Sequence, residues 1–98
     1  MTYRNTNLLR AVASLPCMHC GQHGSTQASH SNQLRDGKGK GLKASDAAIA
    51  ALCASCHRMI DQGRALSRAE RVALWEDAHR ATMRQLFERG LVNVTRWL

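Results

Sequence analysis

The longest periodic run of apolar residues in this 98-residue chain lies near its C-terminal end and predicts a helix over about residues 68–89. Ser67 and Glu70 precede the run with the spacing of a capping box, and Gly90 follows it. The positions that recur at helical spacing are Val72, Trp75, His79, Thr82 with Met83, and Leu86. We interpret Trp75 and Phe87 as core residues and His79 as a partly buried core histidine.

Shorter segments predict the remaining elements, and together they indicate an α+β fold. Residues 6–14, TNLLRAVAS, fit a short N-terminal helix that ends before Pro16. Residues 21–31 are typical of a polar loop followed by a short strand or hairpin arm. Residues 54–63 fit a second short helix, and Gly63 is suited to a left-handed cap at its end. The apolar tail around Trp97 either packs back on the domain, frays, or pairs with a second chain as a homodimer.

All four cysteines stand in two Cys-x-x-Cys knuckles, residues 17–20 and 53–56. Two such pairs can bring four thiolates to one ion. The sequence therefore predicts a closed, structural Zn²⁺ site with the ligands Cys17, Cys20, Cys53 and Cys56. Two disulfide bonds are the alternative, but the N-terminus lacks the apolar core of a signal peptide, which favours zinc in a reducing cytoplasm. Replacement of one cysteine ligand by His19 or His23 is a further alternative.

The length and the composition limit the size of the core. A chain of 98 residues has room for one domain, which we expect to span residues 1–98. Aromatic residues make up only 4% of the chain, so bound zinc is expected to contribute directly to folding. No apolar run approaches the length of a membrane span, and we expect no membrane partner.

The charge of the chain is positive and unevenly distributed. The formal net charge is +7: residues 1–45 hold six Lys or Arg against one acid, and residues 46–98 hold eight against six. This balance favours a nucleic acid as partner, DNA or alternatively RNA. The loop over residues 35–43 is the candidate contact, through Arg35, Lys38, Lys40 and Lys43. A merely solvated loop is the alternative; a phosphate-binding P-loop is excluded because its GxxxxGK[ST] pattern is absent.

The knuckles and two histidines together resemble a known superfamily. His30 lies in the predicted strand, Leu52-Cys53-x-x-Cys56-His57 opens the second short helix, and 32 residues separate Cys20 from Cys53. This arrangement resembles the zinc-stabilised ββα-metal nucleases, the HNH or His-Me finger superfamily. The stretch GKGKGLKASDAAIAALCASCHRMID is similar to small nucleases of lambdoid phages and prophages. The resemblance implies a treble-clef-like ββα-metal domain, flanked here by the short N-terminal and long C-terminal helices.

The resemblance also implies roles for individual residues. His30 would be the general base that activates water, a task suited to an imidazole at neutral pH. His57 and Asp61 would bind the catalytic divalent metal, Mg²⁺ or Mn²⁺. Asp46 would act in catalysis by orienting His30, with metal binding or a simple helix cap as alternatives. Many relatives carry a carboxylate directly before the strand histidine, whereas this chain has Ser29, a poor metal ligand; Asn32 is a weaker candidate ligand.

The function expected from these features is metal-dependent endonucleolytic cleavage of DNA by a phage or prophage protein acting in the cytoplasm of a bacterial host. The alternative is a non-catalytic zinc module that binds DNA or RNA and uses His30 and His57 structurally. A third hypothesis is a protein-interaction adaptor that docks a partner through the tail.

Overall fold

A computed structural model describes residues 3–95 of the chain and confirms the α+β fold. Two strands form an antiparallel hairpin, and three helices surround it. In chain order the elements are helix α1 (Thr6–Ala13), strand β1 (Thr26–His30), a 3-10 turn (Leu34–Asp36), strand β2 (Ile49–Cys53), helix α2 (Ala54–Gln62) and helix α3 (Arg68–Glu88). Among the described residues, no helix is both long and apolar enough to cross a bilayer.

The hairpin and α2 together form a ββα unit. The register of the strands runs from Thr26 opposite Cys53 to His30 opposite Ile49. All five residues of β2 are buried, because helices pack against it on both sides. The alanines of this strand, at positions 50 and 51, allow that close packing.

Two apolar clusters form the core on opposite sides of β2. One contains Leu52, Ile60 and Trp75 and joins β2 to α2 and α3. The other contains Val12 and Leu86, which join α1 and the end of α3 to the hairpin. The helix α1 begins at the predicted place because the side chain of Asn5 accepts a hydrogen bond from the Leu8 amide at 3.0 Å.

The outer edge of β2 is covered by hydrogen bonds from other elements. The Met18 amide donates to the Ala51 carbonyl at 2.8 Å, and the Ala51 amide donates to Thr82 Oγ1 at 2.9 Å. His79 Nδ1 donates to the Ile49 carbonyl at 2.6 Å, and its ring stacks on Trp75 with centroids 5.0 Å apart. An unpaired strand edge is thereby avoided. His79 has the structural role that the sequence predicted.

The capping box at the start of α3 is confirmed. Ser67 Oγ accepts from the Glu70 amide at 3.1 Å, and Glu70 Oε1 accepts from the Ser67 amide at 2.8 Å. The hydrogen bond from the Ser67 amide to the carboxylate lowers the pKa of Glu70 below its ordinary value. The helix ends at Glu88, one residue before the predicted limit, and Gly90 follows with φ +71°.

Two predictions about individual residues are wrong. Phe87 is 51% exposed, because its neighbour Leu86 takes the core-facing position and successive helical residues point about 100° apart. Gly63 does end α2, but at φ −66° and ψ 137°, outside the left-handed region. Glycine is needed there for space, since a Cβ at this position would lie 2.2 Å from the Met59 carbonyl oxygen. The predicted role of Trp97 falls outside the described residues.

Candidate metal centre and histidine groove

The sulfur atoms of all four cysteines lie within 4.8 Å of one another. Cys20 Sγ and Cys53 Sγ are 3.7 Å apart. In a tetrahedral site with Zn–S bonds of about 2.3 Å, neighbouring sulfurs are separated by about 3.8 Å, so this spacing suits zinc. All four residues are free thiols, and the sulfur separation far exceeds the length of a disulfide, about 2.05 Å. The predicted four-cysteine cluster is confirmed.

Backbone amides orient the sulfurs of both knuckles. The amides of His19 and Cys20 approach Cys17 Sγ at 3.4 and 3.5 Å, and the Cys56 amide approaches Cys53 Sγ at 3.4 Å. Gly21 closes the first knuckle with φ +80° and donates to the Cys17 carbonyl at 2.9 Å. The cluster therefore bridges the loop before β1 and the start of α2. His19 and His23, the alternative ligands, are both exposed and belong to no donor group in the described part of the chain.

The surroundings shift the pKa values of Cys17 and Cys56 in opposite directions. Burial alone would raise the pKa of Cys17, but hydrogen bonds from backbone amides, led by that of Cys20, lower it to about 6. Burial and the neighbouring thiols raise the pKa of Cys56. Four thiolates at this spacing cannot all carry charge unless a cation compensates them, so zinc would displace the remaining protons as it binds.

His30 is held by a nearly buried carboxylate. His30 Nε2 lies 2.7 Å from Asp46 Oδ1, and the side chain of Asp46 is 3% exposed. Because a carboxylate oxygen only accepts, Nε2 carries the proton and Nδ1 keeps the lone pair of the neutral ring. No helix follows Asp46, since residues 45–48 form a turn, closed by the Ala48 amide donating to the Ser45 carbonyl at 2.9 Å, that leads into β2; the helix-cap alternative is therefore wrong.

The start of α1 completes the surroundings of Asp46. The Asn5 amide donates to Asp46 Oδ2 at 2.7 Å, and Arg4 Nη1 donates to Oδ1 at 3.2 Å. Burial would raise the pKa of Asp46, but the hydrogen bonds from His30, Asn5 and Arg4 and the charge of His30 lower it below its ordinary value. Asp46 is therefore ionised at neutral pH. Arg4 and Asn5 were not predicted from the sequence, and no motif marks them.

His57 and Asp61 form a second pair on one face of α2. His57 Nε2 lies 3.0 Å from Asp61 Oδ2, one helical turn away. The other nitrogen, Nδ1, lies 2.8 Å from Gln27 Oε1 on β1. The other oxygen of Asp61 accepts from Asn32 Nδ2 at 2.7 Å. Gln27 was not predicted from the sequence.

One open groove of about 250 Å³ brings the two histidines together. It lies between β1, the loop that follows β1, the basic loop (residues 35–43) and α2. Its lining residues are Ala28, His30, Ser31, Asn32, Lys38, Lys43, Ala44, His57 and Asp61. Asp46 is not among them, because it lies behind His30. The groove therefore combines imidazole, carboxylate and ammonium groups on one surface.

The remaining predicted residues lie elsewhere. Arg35 pairs with Glu76 on α3, and Lys40 is exposed near the tip of the basic loop. Ser29 is fully buried; its hydroxyl has no partner among the described residues, and its carbonyl accepts from Trp75 Nε1 at 3.1 Å. Alternation along β1 directs its side chain to the face opposite that of His30. Within residues 3–95, only the cysteines bring three or more His, Cys, Asp or Glu donors within 4.8 Å of one another.

Comparison with known proteins adds no family to this description: no family model, curated protein or solved structure matches the chain. The fold and the cysteine cluster define the chain as a small α+β protein with a four-cysteine site fit for zinc.

Proposed function

We propose that the protein hydrolyses phosphodiester bonds in DNA as a metal-dependent endonuclease of the ββα-metal type. The observation that carries the proposal is the groove, in which the oriented His30 shares one surface with the pair His57–Asp61 and with two lysines. The order of the sequence motifs, knuckle, strand histidine and Leu-Cys-x-x-Cys-His, supports the same class of enzyme.

His30 is suited to be the general base. Its Nδ1 has no hydrogen-bond partner among residues 3–95, and the Asp46 contact keeps the proton on Nε2. Nδ1 would accept a proton from water as the water oxygen bonds to phosphorus and the bond from phosphorus to the leaving sugar oxygen breaks. The leaving oxygen then takes a proton from solvent. Asp46 would stabilise the imidazolium that forms.

The pair on α2 is suited to hold a divalent cation. When Gln27 Oε1 accepts from His57 Nδ1, the lone pair of Nε2 faces a carboxylate oxygen of Asp61 at 3.0 Å. A proton on Nε2 would satisfy both atoms, and a divalent cation would replace that proton. The carboxylate oxygen is a donor that Mg²⁺ and Mn²⁺ prefer, and the imidazole nitrogen would be the second ligand. The bound cation would supply Lewis-acid stabilisation of charge on the phosphate. Lys38 and Lys43 would hold phosphate groups of the DNA in the same groove.

Plasmid nicking tests this proposal. Zinc-loaded protein should convert supercoiled DNA to the nicked form when Mg²⁺ or Mn²⁺ is added. Metal dependence is tested by omitting the divalent ion, because a chelator would also remove zinc. His30→Ala should lower the rate at least about 100-fold, the usual contribution of a general base. His23→Ala, which changes an exposed histidine of the knuckle loop, is the matched control and should cleave normally.

Wild-type protein without metal-dependent nicking, or a His30→Ala variant that cleaves at the same rate, would refute the catalytic proposal. The second candidate is then a non-catalytic module that binds DNA or RNA. The observation that favours it is the missing third His, Cys, Asp or Glu donor beside His57 and Asp61 in the described chain, with Ser29 buried. Binding that weakens steeply with salt and shows no turnover would support it.

A further inference from the structure

The two groove histidines are held through opposite ring nitrogens. Asp46 contacts His30 at Nε2, whereas Gln27 contacts His57 at Nδ1. In a neutral imidazole, the nitrogen that donates carries the only proton, so the other nitrogen presents a lone pair. The Asp46 contact therefore selects the His30 tautomer with the proton on Nε2. His57 faces an acceptor at each nitrogen, Gln27 Oε1 at 2.8 Å and Asp61 Oδ2 at 3.0 Å. When a cation occupies the space between Nε2 and Oδ2, the one proton of the neutral ring stays on Nδ1, where Gln27 accepts it. His30 presents Nδ1 as a base, and His57 presents Nε2 toward Asp61.

We propose that Gln27 and Asn32 are positioning residues for the divalent cation: Gln27 fixes the His57 tautomer, and Asn32 orients the Asp61 carboxylate. The proposal rests on the proposed cation site and adds the residues that prepare it. Gln27 approaches from β1, and Asn32 from the loop that follows β1. Together they hold the two donors of α2 from the outer sides, so that Nε2 and Oδ2 face each other at 3.0 Å.

The placement of Gln27 gives this contact rigidity. Its backbone pairs with Leu52, and its neighbour Thr26 pairs with Cys53, the last residue of β2 and the N-cap of α2. The strand that carries Gln27 and the helix that carries His57 are therefore joined at the four-cysteine cluster. Partners that orient metal ligands in this way typically change metal affinity by about 10- to 100-fold when removed.

Mn²⁺ binding to the zinc-loaded protein provides the test, measured by calorimetry without any DNA. Gln27→Leu removes the acceptor at an exposed position and should weaken Mn²⁺ binding at least about tenfold. Gln27→Glu keeps an acceptor oxygen and should bind Mn²⁺ no more weakly than the wild type. Asn32→Ala should give a smaller, several-fold loss. Gln85→Leu, near the end of α3, is the matched control and should bind as the wild type does.

The tautomer of His57 can be observed directly in the wild type. Long-range ¹H–¹⁵N spectra of the Mg²⁺-loaded protein should show the proton of His57 on Nδ1 and that of His30 on Nε2. A His57 proton on Nε2, a wild type that binds no Mn²⁺ or Mg²⁺, or a Gln27→Leu variant with unchanged affinity would each overturn the inference. Loss of Mn²⁺ affinity in Gln27→Leu without any plasmid nicking by the wild type would support the inference and refute the nuclease activity.

Discussion

The cysteine cluster and the histidine groove are neighbours, but they hold their donor atoms by different means. Three of the four cysteines are buried, the four donors are identical, and backbone amides orient the sulfurs. The groove is open, its donors are mixed nitrogen and oxygen, and side chains from distant parts of the chain orient them. Closed four-coordinate sites suit structural zinc, whereas catalysis needs an open position. The comparison therefore separates a region built for stability from one suited to chemistry.

The two regions are nevertheless physically connected. His57 directly follows Cys56, and Gln27 neighbours the residue paired with Cys53. Any loss of the cysteine cluster should therefore also displace the groove. Changes in the groove, by contrast, should leave the cluster intact. A variant of a zinc ligand should thus affect both regions, whereas a variant of a groove residue should affect the groove and not the cluster.

Removal of zinc should have the largest effect. A structural zinc contributes about 10–16 kcal/mol of apparent binding free energy in small zinc-binding peptides. Because a whole domain is stable by only about 5–15 kcal/mol, Cys53→Ser should lose cooperative folding together with groove activity. Circular dichroism, thermal unfolding and zinc content measure this. Ser55→Ala, an exposed change within the same knuckle, should bind one zinc per chain and unfold as the wild type does.

A zinc-free protein with a cooperative unfolding transition and normal Mn²⁺ binding would contradict this dependence. The groove would then be built by the apolar core alone, through residues such as Leu52 and Trp75.

Asp46→Asn should have the next largest effect and should leave the cysteine cluster intact. Three donors, from His30, Asn5 and Arg4, converge on the two oxygens of the carboxylate, whereas an amide offers only one acceptor oxygen. We expect a cleavage rate about 100-fold lower, as for loss of a general base. The free energy of unfolding should fall by about 2 kcal/mol, the scale of one hydrogen bond to a charged group. Full zinc content should be retained.

The stabilising effect of Asp46 should depend on pH through the titration of its own carboxyl group. The folded state lowers the pKa of Asp46, so its stabilisation is fully present above the ordinary carboxyl pKa of about 4 and is lost as the pH falls toward the lower folded value. The difference in unfolding free energy between wild type and Asp46→Asn should thus shrink as the pH falls below about 4. Urea unfolding at several pH values measures it; a difference that stays the same from about pH 5 to about pH 3 would contradict the assignment.

The sequence was sufficient for features that depend on local spacing. The start of α3 and the placement of His79 follow from helical periodicity within a few turns, and the cysteine cluster follows from two short motifs that need a common ion. The sequence was insufficient where contacts join distant residues. Asn5 and Asp46 are 41 positions apart, and nothing in the local pattern of either indicates the other.

Packing also decides choices that local patterns leave open. Leu86 and Phe87 are both large and apolar, but successive residues of a helix point about 100° apart, so only one of them faces the hairpin. Glycine is the residue type typical of a left-handed helix cap. At position 63, however, glycine is required because a Cβ would clash with the Met59 carbonyl oxygen. The role of Gln27 depends on the strand–helix geometry, because glutamine has no preference for such sites. These features become visible only when the elements are placed together.

The smallest expected effect is on the salt dependence of DNA binding, which distinguishes the lysines that line the groove from an arginine outside it. Lys38 and Lys43 line the groove, whereas Arg35 already compensates Glu76 on α3. Each phosphate contact that is removed lowers the slope of log affinity against log salt by about 1. Lys38→Gln and Lys43→Gln should each do so, and Arg35→Gln should leave the slope unchanged. Fluorescence anisotropy of a labelled duplex with the His30→Ala variant as background measures this without cleavage. Equal slope changes for all three variants would mean that the whole basic loop contacts DNA. The DNA-binding surface would then not be confined to the groove.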